Sequence, residues 1–187
     1  MTMTRRTLLG RLLAMALFVP MLYLAQPAFA KVTITFYSHD FGSHWPHAFF
    51  TLKGTLDSTG EAIDSNYGFT PVTVGPNILF GNAKGRLDIA TPKYIADSDP
   101  HFAMEISDAE YAAVIAIVHK WRDKPQGSYN LNKANCVHFV AEAVRAVGLK
   151  TNPKSKYFKK PKSFMIEVTD LNRSQLSGAQ ILYKAKG

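Results

Sequence analysis

Apolar positions recur with two different periods along this chain, and the change from one to the other divides it. Val32, Ile34 and Phe36 alternate with Thr33, Thr35 and Tyr37, the period of two that a half-buried strand requires. His47-Ala48-Phe49-Phe50-Thr51-Leu52-Lys53 predicts a second strand. Asp57-Ser58-Thr59-Gly60 has the residues of a turn, and a return strand over 63–69 completes a hairpin. Gly75-Pro76, Gly81-Asn82 and Gly85 then break the chain, which predicts short strands around 78–80 and 86–90. A further strand is expected over 101–106, His101 to Ile106.

Beyond that point the period lengthens. Ser107-Asp108-Ala109-Glu110 has capping-box spacing, the serine hydroxyl meeting a free backbone N–H while the glutamate reaches back. Tyr111, Val114, Ile115 and Val118 form the helical stripe behind it, ending near Trp121 and Pro125. A second helix starts at Asn135-Cys136 and carries Val140, Ala143, Val144 and Val147 to Gly148, a natural stop. Strands first and helices late predict an α+β fold, a small antiparallel sheet packed against two or more helices.

The first thirty of the 187 residues follow neither period. Arg5, Arg6 and Arg11 precede an apolar run from Leu12 to Leu24, and Ala28-Phe29-Ala30 supplies the small residues of a cleavage site before Lys31. Residues 1–30 are therefore expected to be a cleaved export signal, too short to favour a spanning helix. Thr4-Arg5-Arg6-Thr7-Leu8-Leu9 also resembles a twin-arginine signal. The expected location is the periplasm or the exterior, with no stable membrane span after cleavage.

Charge adds a second division. Residues 31–149 carry ten basic and twelve acidic side chains, whereas residues 150–187 carry nine basic and two acidic. The near-neutral body, 31–149, is expected to be the folded domain and 150–187 a basic extension. The lysines from Lys150 to Lys162, interleaved with Pro153, Tyr157, Phe158 and Pro161, suit an anionic envelope surface or a solvated tail. A chain that leaves the cytoplasm is a poor partner for nucleic acid.

One cysteine excludes an internal disulfide framework and a cysteine-rich zinc site. Cys136 is the candidate nucleophile. With Asn135 as N-cap it lies in the first helical turn, where free N–H groups favour a thiolate and an oxyanion. It is also in phase with Val140, Ala143, Val144 and Val147, so it equally suits a buried packing position. Six histidines could serve a thiol: His39, His44, His47, His101, His119 and His138. His138 lies about 200° round the helix from Cys136 and faces elsewhere. His39, His44 and His47 cluster, yet no acid or thiol is placed to complete a metal site, and neither metal nor cofactor is expected. His47 opens an apolar strand, a rigid position for a base.

Asn135-Cys136-Val137-His138-Phe139-Val140 resembles the Asn-Cys-x-His-Phe-Val signature of lecithin retinol acyltransferase-like proteins, and more broadly the circularly permuted papain-like, NlpC-type cysteine hydrolases. His47 in His-Ala-Phe-Phe-Thr-Leu is similar to the early strand histidine of that group, and Tyr129-Asn130-Leu131 to the run leading into the cysteine. The resemblance implies a permuted papain-like fold, a Cys136 nucleophile, a His47 base and a thioester intermediate. It implies a third, polar residue orienting the imidazole. Acyltransferase-like members use a second histidine on the next strand, and none lies between His47 and His101. Asn66 is the choice here, with Asp64 as the runner-up. Three readings follow: a thiol amidase or peptidase on cell-wall peptides, a thiol acyl hydrolase or acyltransferase on lipid, and a non-catalytic envelope-binding module.

Overall fold

The computed structural model describes residues 31–40, 45–75, 77–125, 128–176 and 180–183. The expected export signal and His44 lie outside the described residues. The elements run β1 (Val32–His39), β2 (His47–Thr55), β3 (Ala62–Pro71), α1 (Asn77–Phe80), β4 (Asn82–Ala83), β5 (Gly85–Asp88), α2 (Pro92–Ala96), β6 (Asp99–Ile106), α3 (Asp108–Arg122), β7 (Tyr129–Asn130), α4 (Cys136–Ala146), α5 (Pro161–Leu171) and β8 (Gln180–Ile181). The class is α+β, as the periods predict.

A six-stranded sheet has the order β5-β3-β2-β1-β6-β8, with every pairing antiparallel. β1 sits inside it and alternates as its sequence does, with Val32, Ile34, Phe36 and Ser38 buried. Phe36, Phe50 and Phe102 meet across three neighbouring strands, with ring centroids 5.8 and 4.9 Å apart. Helices α3, α4 and α5 cover this face. Phe139 of α4 stacks on Phe50 at 5.4 Å, and Trp121 of α3 wedges against Phe139 and Phe69. Aromatic side chains of this size dominate core energetics, each burying on the order of 150–250 Å².

The helix signals form as read. Ser107 and Glu110 make a reciprocal capping box at the start of α3. Asp108, in the first turn, also accepts from the backbone N–H groups of Asp57 and Ser58, which fastens the β2–β3 turn to the helix. Gly148 closes α4 at φ +76°, a left-handed position that suits glycine. Among described residues no helix is long and apolar enough to cross a membrane.

Two expectations are corrected. Residues 77–80 form a short helix rather than a strand, entered through a tight turn in which the Ile78 N–H donates to the Gly75 carbonyl at 3.1 Å. The segment after Leu149 is not an extension. Phe164, Met165 and Val168 of α5 are fully buried against β1 and β6, and β8 adds a strand beside β6. Its lysines hide this in a charge count, since the apolar residues lie on one helical face.

Candidate active site

Cys136 is the first residue of α4, and Asn135 before it uses its whole carboxamide. The side-chain oxygen accepts from the backbone N–H of Val137 at 2.9 Å and of His138 at 3.2 Å. The amide nitrogen donates to the carbonyls of Leu131 and Phe158, both at 2.8 Å. One side chain thus caps the helix and ties its start to the loops before α4 and α5. His138 turns away from Cys136 as its spacing predicts, stacking on Phe158 at 4.6 Å with Nδ1 2.9 Å from the Asn135 oxygen.

His47 opens β2 directly opposite His39 of β1. Two residues on, Phe49 pairs with Gly68 of β3, and Gly68 pairs with Asp88 of β5. Residues opposite one another share a face, so the imidazole lies along a face that ends in a carboxylate. Gly68 makes this possible: a Cβ there would stand 2.2 Å from His47 Nε2. The space a side chain would fill holds the imidazole. The ring lies nearly parallel to Phe49 at 6.1 Å, and Tyr94 of α2 packs against both Phe49 and His39.

Cys136 and His47 line one cavity of about 370 Å³. Its walls come from the chain before β2 (Trp45, Pro46), the end of β3 and the loop beyond (Phe69, Pro71, Val74, Ile78, Leu79), and the approaches to α4 and α5 (Tyr129, Leu131, Phe158, Pro161). Asp88, Tyr94, Thr70, Lys159 and Asn135 are its polar members besides the cysteine and histidine. The cavity is therefore largely apolar, with the thiol, the imidazole and the Asp88 carboxylate among its few polar groups.

Burial governs the resting charge state. It pushes the Cys136 thiol up to about 11, although backbone N–H groups of Ala48, Val137 and Cys136 pull the other way. It holds His47 down to about 4, against an upward pull from Asp88. The helix-start N–H groups expected to favour a thiolate are present, and desolvation outweighs them. At neutral pH the pair rests as thiol and neutral imidazole.

The third position differs from expectation. Asn66 is not among the cavity residues. Its amide donates to the Ala90 carbonyl at 3.1 Å and its oxygen accepts from the Ala90 N–H at 2.6 Å. Both polar ends of Asn66 are thus spent on backbone, two residues past Asp88. Asp64 is exposed and pairs with Lys53 at 3.5 Å. Asp88, rather than Asn66, lines the cavity and acts by its charge on His47, and Arg86 holds it at 2.9 Å.

No sequence signal marked Asp88 or Tyr94. Gly68 carried one, an isolated glycine within a strand pattern, which points to close approach by another group. Among described residues no group of three or more histidine, cysteine or acidic side chains could hold a metal ion. Comparison with protein families, with curated proteins and with solved structures finds no match to this chain.

Proposed function

We propose that this protein is a thiol-dependent acyl hydrolase or acyltransferase acting on a substrate with an apolar acyl group. The observation that carries the reading is a single cavity holding Cys136 and His47 within walls otherwise largely apolar. Cell-wall peptides bristle with carboxylates and amines, which such walls would leave unpaired at a cost of about 1–3 kcal/mol each. An acyl chain gains by entering, at about 0.8 kcal/mol per buried CH₂.

In this reading neutral His47 accepts the Sγ proton as sulfur attacks the carbonyl carbon. The oxyanion forms near the backbone N–H of Cys136, since Asn135 takes those of Val137 and His138. Collapse expels the alcohol or amine, which takes the proton back from the imidazolium and leaves a thioester on Cys136. Water, or another acceptor deprotonated by His47, then releases the acyl group and restores the thiol. Asp88 steadies the imidazolium at both stages. The order of an early strand histidine before a helix-opening cysteine also supports a permuted papain-like arrangement. Arg5, Arg6 and the Ala28-Phe29-Ala30 run support export with cleavage before Lys31.

The test is a series of p-nitrophenyl esters from acetate to palmitate, set beside an L-Ala-γ-D-Glu peptide amide. We expect kcat/KM to rise with chain length until the cavity is filled, and Cys136→Ala to abolish it. Cleavage of the peptide alone would favour the cell-wall amidase reading. Absence of Cys136-dependent turnover on every substrate would favour the non-catalytic one.

A further inference from the structure

Six large apolar side chains stand exposed among the described residues: Trp45, Val72, Val74, Leu79, Ile89 and Leu171. Four of them are gathered at one place. Trp45, Val74 and Leu79 line the cavity, and Val72 lies between Pro71 and Val74 on the same loop. Trp45 is 55% exposed and Leu79 53%, so their apolar surfaces extend the cavity walls outward into solvent. Clusters of this kind on a folded chain mark a surface that meets an apolar partner.

Charge accompanies the cluster. Lys159 lines the cavity beside Phe158, and Lys160 follows it, exposed, before α5. Lys84, also exposed, accepts through its carbonyl from the Val72 N–H at 2.8 Å, which places it beside the apolar loop. Lys162, by contrast, is committed to Asp40 and Asp99 at 2.7 and 2.8 Å. From 150 to 162 the chain has six lysines and no acidic residue.

We infer that the cavity mouth docks on an anionic phospholipid surface, with Trp45, Val72, Val74 and Leu79 entering the interface and Lys84, Lys159 and Lys160 meeting the headgroups. An aromatic and aliphatic tip flanked by lysines matches the layering of a bilayer boundary, apolar below and anionic above. This docking rests on the acyl-group reading of the site, since it brings the mouth to where acyl chains are and lets one enter without crossing water.

The experiment is co-sedimentation of the mature chain with vesicles of phosphatidylcholine alone and of equal phosphatidylcholine and phosphatidylglycerol, with Trp45 fluorescence read alongside. Trp121 is buried and supplies a constant background. We expect binding at least about tenfold tighter to the anionic vesicles. Trp45 emission should shift to the blue and 0.5 M salt should release the protein, an ionic strength at which surface charge is screened within about 5 Å. Val72→Glu with Lys160→Glu should lose most of the binding while hydrolysis of soluble p-nitrophenyl acetate is unchanged.

Three outcomes overturn the docking: no binding, equal binding to both vesicles, or binding unmoved by the paired substitution. A concentration-dependent dimer that hides Trp45 without lipid would give the surface to a second copy of the chain. Vesicle binding and ester hydrolysis are separate readouts. Docking retained with no Cys136-dependent turnover would sink the chemistry and spare the surface, and the reverse would sink the surface alone.

Discussion

Two histidines in this protein are shifted alike and stand in unlike surroundings. His47 and His101 both have pKa values pushed down to about 4 by desolvation. His101 is the extra residue of a β-bulge: Phe36 pairs with Phe102 and Tyr37 with Pro100, leaving it unpaired between them. Its Nε2 stands 2.8 Å from Ser38 Oγ, and the ring lies under Tyr183 at 5.2 Å, fully shielded from solvent. Its Nδ1 has no hydrogen-bond partner among the described residues. His47 faces a cavity with a thiol and a carboxylate on its walls. A depressed pKa therefore does not by itself mark a site. Access and a chemical partner do, and only His47 has both.

The largest effect should separate the two by activity. We predict that His47→Gln lowers kcat/KM on the best ester by about 10²–10⁴-fold, the usual contribution of a general base. His101→Asn, assayed on its folded fraction, should stay within about threefold of the parent, because a buried packing group contributes through stability alone. Equal losses in both variants would break the contrast.

Acid stability should then unite what activity separates. Each histidine titrates near 6.5 in the unfolded chain and about 4 in the folded one. Between those values the unfolded state binds more protons, so stability is full above pH 6.5 and falls as pH drops toward 4. Each group accounts for about 3 kcal/mol of that loss. Urea midpoints measured from pH 7 to pH 4 should show the slope, and each of these two substitutions should flatten it in part, the remainder including His138, which burial also holds below its ordinary value.

Gly68→Ala sharpens the contrast sterically. The added methyl must displace His47, so about 10²-fold in kcat/KM should be lost, while the acid slope due to His101 persists. Steady-state kinetics beside a denaturant curve would check both. Smallest is Ser38→Ala, which leaves His101 Nε2 without its partner. It should cost about 1.5 kcal/mol in urea unfolding and leave ester hydrolysis untouched.

What could be read beforehand follows the range of the interactions involved. Local periodicity carried β1, β2, β3 and β6, and local capping carried α3 and α4, because those elements are specified by neighbours within four residues. Cys136 and His47 were reachable for the same reason, each opening an element with a clear signal. Asp88 was not, since its role depends on β5 pairing with β3 opposite Gly68, a register no short window contains. Asn66 misled in an instructive way: a carboxamide on the right strand is equally suited to holding backbone, and Ala90 claims it. Residues 150–187 misled through composition, because six lysines masked the apolar face of α5. That face matters to the site, as the approach to α5 brings Phe158, Lys159 and Pro161 to the cavity wall.

The burial of Cys136 bears on how such a protein survives. Peroxides and small disulfides react with thiolate rather than thiol. A sulfur held near 11 spends almost all of its time, at neutral pH, in the form they ignore. In the proposed mechanism it becomes nucleophilic only when a carbonyl is in place and His47 can take the proton. With a single cysteine in the chain, nothing within the molecule could reduce an oxidised sulfur or cap it as a disulfide. Keeping the thiol protonated at rest slows an oxidation that nothing within the chain could reverse.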